Sequence, residues 1–346
     1  MSVEDNIIKF NPRGDDSSSI FGLPSPLEEA RVVVVPVPWD VTSTSHGGLV
    51  DGPQTLIDAS PLVPLWDEEH GDIWKMGIAM LDIPEDLYDE SQRLRPLAQL
   101  ALQFQEGGDD DRSDEFLKSQ LDHINEQCSK MVTAVRESTS RFVSAGQKVI
   151  VVGGDNSTGL GLLQALAARE ESFGILHIDA HKNLQISPDG FDHSPSAAIH
   201  NALEIEKVEK VVQVGIRNFT EEESERYRTD KERLTAYTDR YLKKAQFEGH
   251  TWDHLCTDIL DSLPDRIYLS LDLDGLCPEE AGHAHPGGLT YSQTAYLIDQ
   301  LHERGLEVIG ADLTGITRKY QSTAGSLAAH LLYRICNLFR EEGQLY

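Results

Sequence analysis

Cysteine is scarce in this chain of 346 residues: Cys128, Cys256, Cys277 and Cys336 stand far apart, and no CxxC pair occurs. A disulfide framework is therefore excluded, and the four isolated thiols fit a reducing compartment. Positive charge is short as well. Thirty Lys and Arg stand against 58 Asp and Glu, a formal charge of -28. Nucleic acid or an anionic membrane would meet repulsion over most of this surface, whereas a cationic ligand would be attracted. No apolar run approaches membrane-spanning length. The polar first thirty residues, with Asp15 and Asp16 ahead of three serines, lack the basic start and apolar core of a secretory leader. The expectation is a cytoplasmic protein without nucleic-acid or membrane partners.

What is present is a series of continuous, β-branched apolar runs: RVVVVPV (31–37), KVIVVGGD (148–155), FGILHID (173–179), KVVQVGIR (210–217), RIYLSLDLD (266–274) and EVIGADL (307–313). Continuous rather than alternating hydrophobicity marks strands covered on both faces, as in a parallel sheet. Helical spacing lies between them, over Asp114–Ala145 before the capping Gly146, and at Thr158–Arg169, Ser292–Arg304 and Thr323–Arg340. The fold class that follows is α/β, a three-layer sandwich around a central, mostly parallel sheet. Residues 1–30 read as a polar N-terminal arm and 31–346 as a single domain, with the acidic stretch QEGGDDDRSDE (105–115) as a solvated loop.

Ligands of such sheets bind beyond the carboxyl ends of the strands. Three strands deliver acids or imidazoles there: GGDNST (153–158), HIDAHKN (177–183) and SLDLDG (270–275). Residues two apart on a strand share a side, so Asp179, His181 and Asn183 are expected to converge, as are Asp272 and Asp274. An imidazole and three carboxylates suit manganese, nickel, iron or zinc, and burying the carboxylates together without a cation would be costly.

Taken in order, GGD, DAH, S-x-D-x-D-G-x-x-P and PGGLT (286–290), with VPVPWD (35–40) and TAGSLAAHLL (323–332), resemble the ureohydrolase family of arginases, agmatinases and formiminoglutamases over most of the chain. The resemblance implies an arginase-like fold and a binuclear manganese or nickel centre whose bridging hydroxide attacks a guanidino carbon and releases urea. It also exposes departures. Asn156 stands where the family has a ligating His, Asn183 where it has a ligating Asp, and Gly315 where a Glu pairs with the substrate guanidinium. By carry-over the first metal position keeps only Asp179 and Asp272, and the second keeps Asp179, His181, Asp272 and Asp274. His193, in FDHSPS, matches an agmatinase-like histidine and is a candidate acid or base. His283 and His285 lie in an altered, shortened loop and read as substrate-loop or surface histidines.

The degenerate positions make the leading expectation a subunit that resembles the ligand-poor partners of heteromeric guanidine and biguanide hydrolases, metformin hydrolase among them. Such a chain would carry no metal or one, and would support an active, binuclear paralogue in a trimer- or hexamer-type hetero-oligomer. Two alternatives accompany it: a self-sufficient single-metal, agmatinase-like ureohydrolase, and a metal-free binding or regulatory protein for a small cationic guanidino ligand.

Overall fold

The computed structural model describes residues 19–340 apart from 24, 25, 45, 46, 69, 108–110, 282–285 and 318–322. Eight strands form one sheet: β1 (Val32–Val37), β2 (Ile78–Met80), β3 (Lys148–Gly153), β4 (Phe173–Ile178), β5 (Val208–Val214), β6 (Leu234–Tyr237), β7 (Arg266–Asp272) and β8 (Glu307–Thr314). Their order is β2-β1-β3-β8-β7-β4-β5-β6, and every neighbouring pair runs parallel. All six runs read from the sequence are strands of this sheet. β2 and β6 escape such reading because each is a short edge strand of three or four residues, too brief to show a period.

Both faces of the sheet are buried. In β1, Val32 and Val34 enter one hydrophobic cluster with residues of the helices Gly52–Ala59, Trp252–Leu260, Tyr291–Glu303 and Ala324–Asn337. Val33, Val35 and Val37 enter another with Glu85–Gly107, Asp111–Ser144 and Leu160–Ala167. That alternation into two cores is why the strand is apolar at each position. The helix Glu85–Gly107 contains Pro96, which read alone would break it; the ring is tolerated in a helix packed against Asp111–Ser144.

Two expectations about the periphery need correction. The polar arm expected over 1–30 does not extend to residue 30: Ile20, Phe21 and Leu23 are buried, the Phe21 ring meets Tyr333 edge-on at 5.2 Å, and the Phe21 N–H donates to Ser60 Oγ at 2.9 Å. Three large apolar residues outweigh the polar composition around them; residues 1–18 lie outside the described residues. The acidic loop expected over 105–115 is helical through Gly107 and again from Asp111, and only 108–110 lie outside the described residues. Acidic residues opening a helix are favoured by its dipole, so a run of Asp and Glu need not mean loop. Among the described residues no helix is long and apolar enough to cross a membrane.

Candidate functional site

The central strands β3, β8, β7 and β4 end around a cleft of about 420 Å³, lined by Asn156, Asp179, His181, Asn183, Asp272, Asp274 and Gly315 among others. The GGD turn after β3 is shaped by close approach: a Cβ on Gly154 would lie 2.1 Å from the Trp39 carbonyl oxygen, so no larger residue fits. Asp155 then caps the turn Asn156–Gly159, accepting from the Ser157 N–H at 2.9 Å and its hydroxyl at 2.5 Å. Burial pushes its carboxyl up to about 7 against those hydrogen bonds. This capping delivers Asn156 to the cleft wall.

The amide of Asn156 faces Asp179, its nitrogen 2.7 Å from Asp179 Oδ2. The amide nitrogen of Asn183 lies 2.8 Å from the same oxygen. An ionised carboxylate can only accept, so both amides present N–H groups rather than ligating oxygens. His177 Nε2 approaches Asp179 Oδ2 at 3.2 Å, and Asp179 Oδ1 takes the His181 backbone N–H at 2.9 Å and its Nδ1 at 3.2 Å. The tautomer of His177 follows from its other side, where Nδ1 accepts from Gln213 Nε2 at 2.7 Å. Asp179 therefore receives five N–H groups. Burial alone would raise its carboxyl, but the hydrogen bonds from His177 and His181 and the charge of His181 outweigh it and hold Asp179 well below the usual carboxylate range.

Asp272 and Asp274 complete the floor. Asp272 accepts from the Asp274 N–H at 2.7 Å and from the Thr314 hydroxyl at 2.8 Å. Burial, reinforced by the charges of Asp179 and Asp274, raises its carboxyl well above the usual range. Asp274 Oδ2 lies 3.7 Å from His181 Nδ1. The expected strand alternation is not what gathers these groups. β4 stops at Ile178 and β7 at Asp272; Asn183 adopts φ 55°, a left-handed turn conformation that Asn tolerates, and Asp274 sits in the turn Leu273–Gly275.

A binuclear centre does not fit these residues. Both nitrogen donors at Asn156 and Asn183 point at the carboxylate oxygen that a first metal would need. The second position has suitable donor chemistry, with an imidazole nitrogen facing Asp179 and Asp274 beside Asp272. Even so, among the described residues no three His, Cys, Asp or Glu side chains are gathered closely enough to hold a metal as they stand. Gly315 is equally committed: it has φ 75°, and a Cβ there would lie 2.2 Å from Asp272 Oδ1.

His193 does not join the site. Its Nε2 pairs with Ser129 Oγ at 3.1 Å, on the helix Asp111–Ser144, its carbonyl accepts from the Thr42 hydroxyl at 3.0 Å, and it is not among the cleft-lining residues. Burial lowers the tendency of its ring to protonate. The ring expected to act as acid or base is thus turned by its loop onto that helix, outside the cleft lining. His283 and His285 lie outside the described residues. The residues that pattern reading passes over are His177 and Gln213, partners in the β4–β5 register. The available signal was one polar residue inside each of two otherwise apolar runs.

The eight-stranded parallel sheet with helices on both faces is an arginase-like α/β fold. The chain belongs to the Arginase family, whose sequence pattern matches residues 30–337. It is 29% identical over 321 residues to N(1)-aminopropylagmatine ureohydrolase of Thermus thermophilus, covering 91% of this chain and 92% of that one. It is 28% identical over 225 residues to the mitochondrial guanidino acid hydrolase of Homo sapiens, covering 62% and 60%. In fold it is similar to the agmatine ureohydrolase of Thermoplasma volcanium, with a TM-score of 0.69 at 21% identity and coverage of 93% and 94%. Proclavaminate amidino hydrolase of Streptomyces clavuligerus gives a TM-score of 0.70 at 16% identity, over 93% and 96% of the two chains.

Proposed function

We propose that this chain is a cytoplasmic subunit of a C–N hydrolase acting on guanidino or biguanide compounds, of the metformin- or guanidine-hydrolase type, and that it supports an active paralogue rather than turning over itself. One observation carries the reading: Asn156 and Asn183 both aim N–H groups at the same oxygen of Asp179. Hydrogen-bond donors there substitute for the charge of a first metal, and Gly315 leaves no acid for the guanidinium. A buried carboxylate satisfied by five N–H groups needs no cation to remain folded, so the fold can persist as scaffold for an assembly.

The chain purified alone is expected to release no urea from guanidine, agmatine or a biguanide in the presence of manganese or nickel. Co-expressed with its active paralogue, it should enter a mixed oligomer that does. Urea release by the chain alone, abolished by Asp272→Ala, would overturn the reading. One feature favours a second one, a single-metal ureohydrolase: His181 Nδ1 sits within 3.7 Å of both Asp179 and Asp274 carboxylate oxygens, the donor set of the second position. That outcome is the one the Asp272→Ala control would reveal.

A further inference from the structure

Behind the wall that Asn156 gives the cleft lies a second, far smaller cavity of about 20 Å³, set between β4, β7 and β8 and the helices Leu160–Ala167 and Ala198–Leu203. Roughly 10–15 Å³ is enough to hold one water molecule, and a water stays in such a place only where two to four polar groups receive it. The volume therefore admits a single molecule, and the polar lining decides whether the cavity is wet.

The lining supplies the partners. The Tyr268 hydroxyl is fully buried, borders the cavity and makes no hydrogen bond among the described residues. It stands near the Asp312 carboxyl, whose rise on burial it opposes, but outside hydrogen-bond geometry. A Cβ on Gly159 would meet Asp312 Oδ2 at 2.6 Å and the Tyr268 oxygen at 3.3 Å, so both atoms converge on the same part of the wall. Ser270 Oγ donates to Asp312 Oδ1 at 3.0 Å, which leaves Oδ2 for another donor.

Asn156 adds the third side. Its amide gives one N–H to Asp179 and its oxygen takes the Thr314 hydroxyl at 3.2 Å. An amide has two N–H groups and two lone pairs, so one of each remains. His177 closes the wall but offers nothing, since its ring nitrogens are engaged with Asp179 and Gln213.

We infer that this cavity binds one water molecule, which accepts from the Tyr268 hydroxyl, donates to Asp312 Oδ2 and meets the free side of the Asn156 amide. Two donors and two acceptors on one molecule match that inventory, whereas a single carboxylate with no free imidazole nitrogen is a poor metal site. The water extends the hydrogen bonds around Asp179 backward, through Asn156, to Asp312. It thereby braces from behind an amide that faces Asp179. Nothing in this depends on whether the chain turns over, so it stands apart from the subunit reading.

A crystal structure of the purified full chain at about 1.5 Å tests it. One ordered water is expected, at roughly 2.6–3.2 Å from the Tyr268 oxygen, Asp312 Oδ2 and an Asn156 amide atom. An empty cavity, a Tyr268 ring shifted to bond Asp312 directly, or density with partners nearer than about 2.5 Å, as a bound cation requires, would overturn the inference. The substitution Tyr268→Phe gives an independent reading with opposite signs. If the water is there, the variant loses one of its partners and the urea midpoint of unfolding should fall by roughly 0.3 M. If the cavity is dry, the variant removes a buried hydroxyl that had no partner, and a raised midpoint would count against the water.

Discussion

The double substitution Asn156→His with Asn183→Asp should make the stability of the fold depend on a metal at the first position. In wild type, Asp179 Oδ2 is held by two amide N–H groups at 2.7 and 2.8 Å. Replacing one amide by a carboxylate puts a second negative charge against a buried first, and removing a hydrogen bond to a buried charge adds its own cost. Together these should destabilise the variant by about 3 kcal/mol in chelator. Manganese would supply the missing charge, and ligand in hundredfold excess over its dissociation constant restores about 2.7 kcal/mol. Urea denaturation with and without manganese measures this directly: wild type should show no shift from a first-position metal, and the variant a large one. Asn183→Ala serves as control, since it loses a hydrogen bond without creating a ligand and should not be rescued. A variant as stable in chelator as wild type would show that the amides are not what balances Asp179.

The second large effect is expected at Gly315. The substitution Gly315→Ala should cost roughly 3 kcal/mol, combining the strain of a non-glycine residue at φ 75° with a Cβ forced to within 2.2 Å of Asp272 Oδ1. Gly315→Glu should be at least as damaging and should not create a guanidinium partner, because the position cannot carry any side chain until Asp272 moves. The loss of the acid is therefore built into the backbone around it. Guanidinium chloride denaturation of both variants reads the effect, and an alanine variant within about 0.5 kcal/mol of wild type would contradict the geometry.

The central strands were legible because their two-sided burial writes itself as unbroken apolar sequence: β1, β3, β4, β5, β7 and β8 all follow from it. β2 and β6 were not, being short edges, and neither was the burial of Ile20 and Phe21 within a polar stretch. At the site, the identity of Asp179, His181, Asn183, Asp272 and Asp274 could be read from strand-end motifs, yet the reason for their convergence could not. A period-two argument assumes extended backbone, and the chain leaves that conformation at Asn183 and in the Leu273–Gly275 turn. That an asparagine donates rather than ligates is likewise invisible in the letter itself. It depends on which atom faces Asp179, and only three-dimensional neighbours set that. His177 and Gln213 were hidden for a related reason, since a polar residue in a core strand shows its purpose only through its cross-strand partner.

Metal content per chain, by plasma mass spectrometry on wild type and on the Asn156→His/Asn183→Asp variant expressed in medium supplied with manganese and nickel, tests the substitution of N–H groups for a metal most directly. Wild type should carry no more than one metal per chain and the variant one more than wild type. Two metals per wild-type chain would contradict it, because the first position would then be open despite both amides.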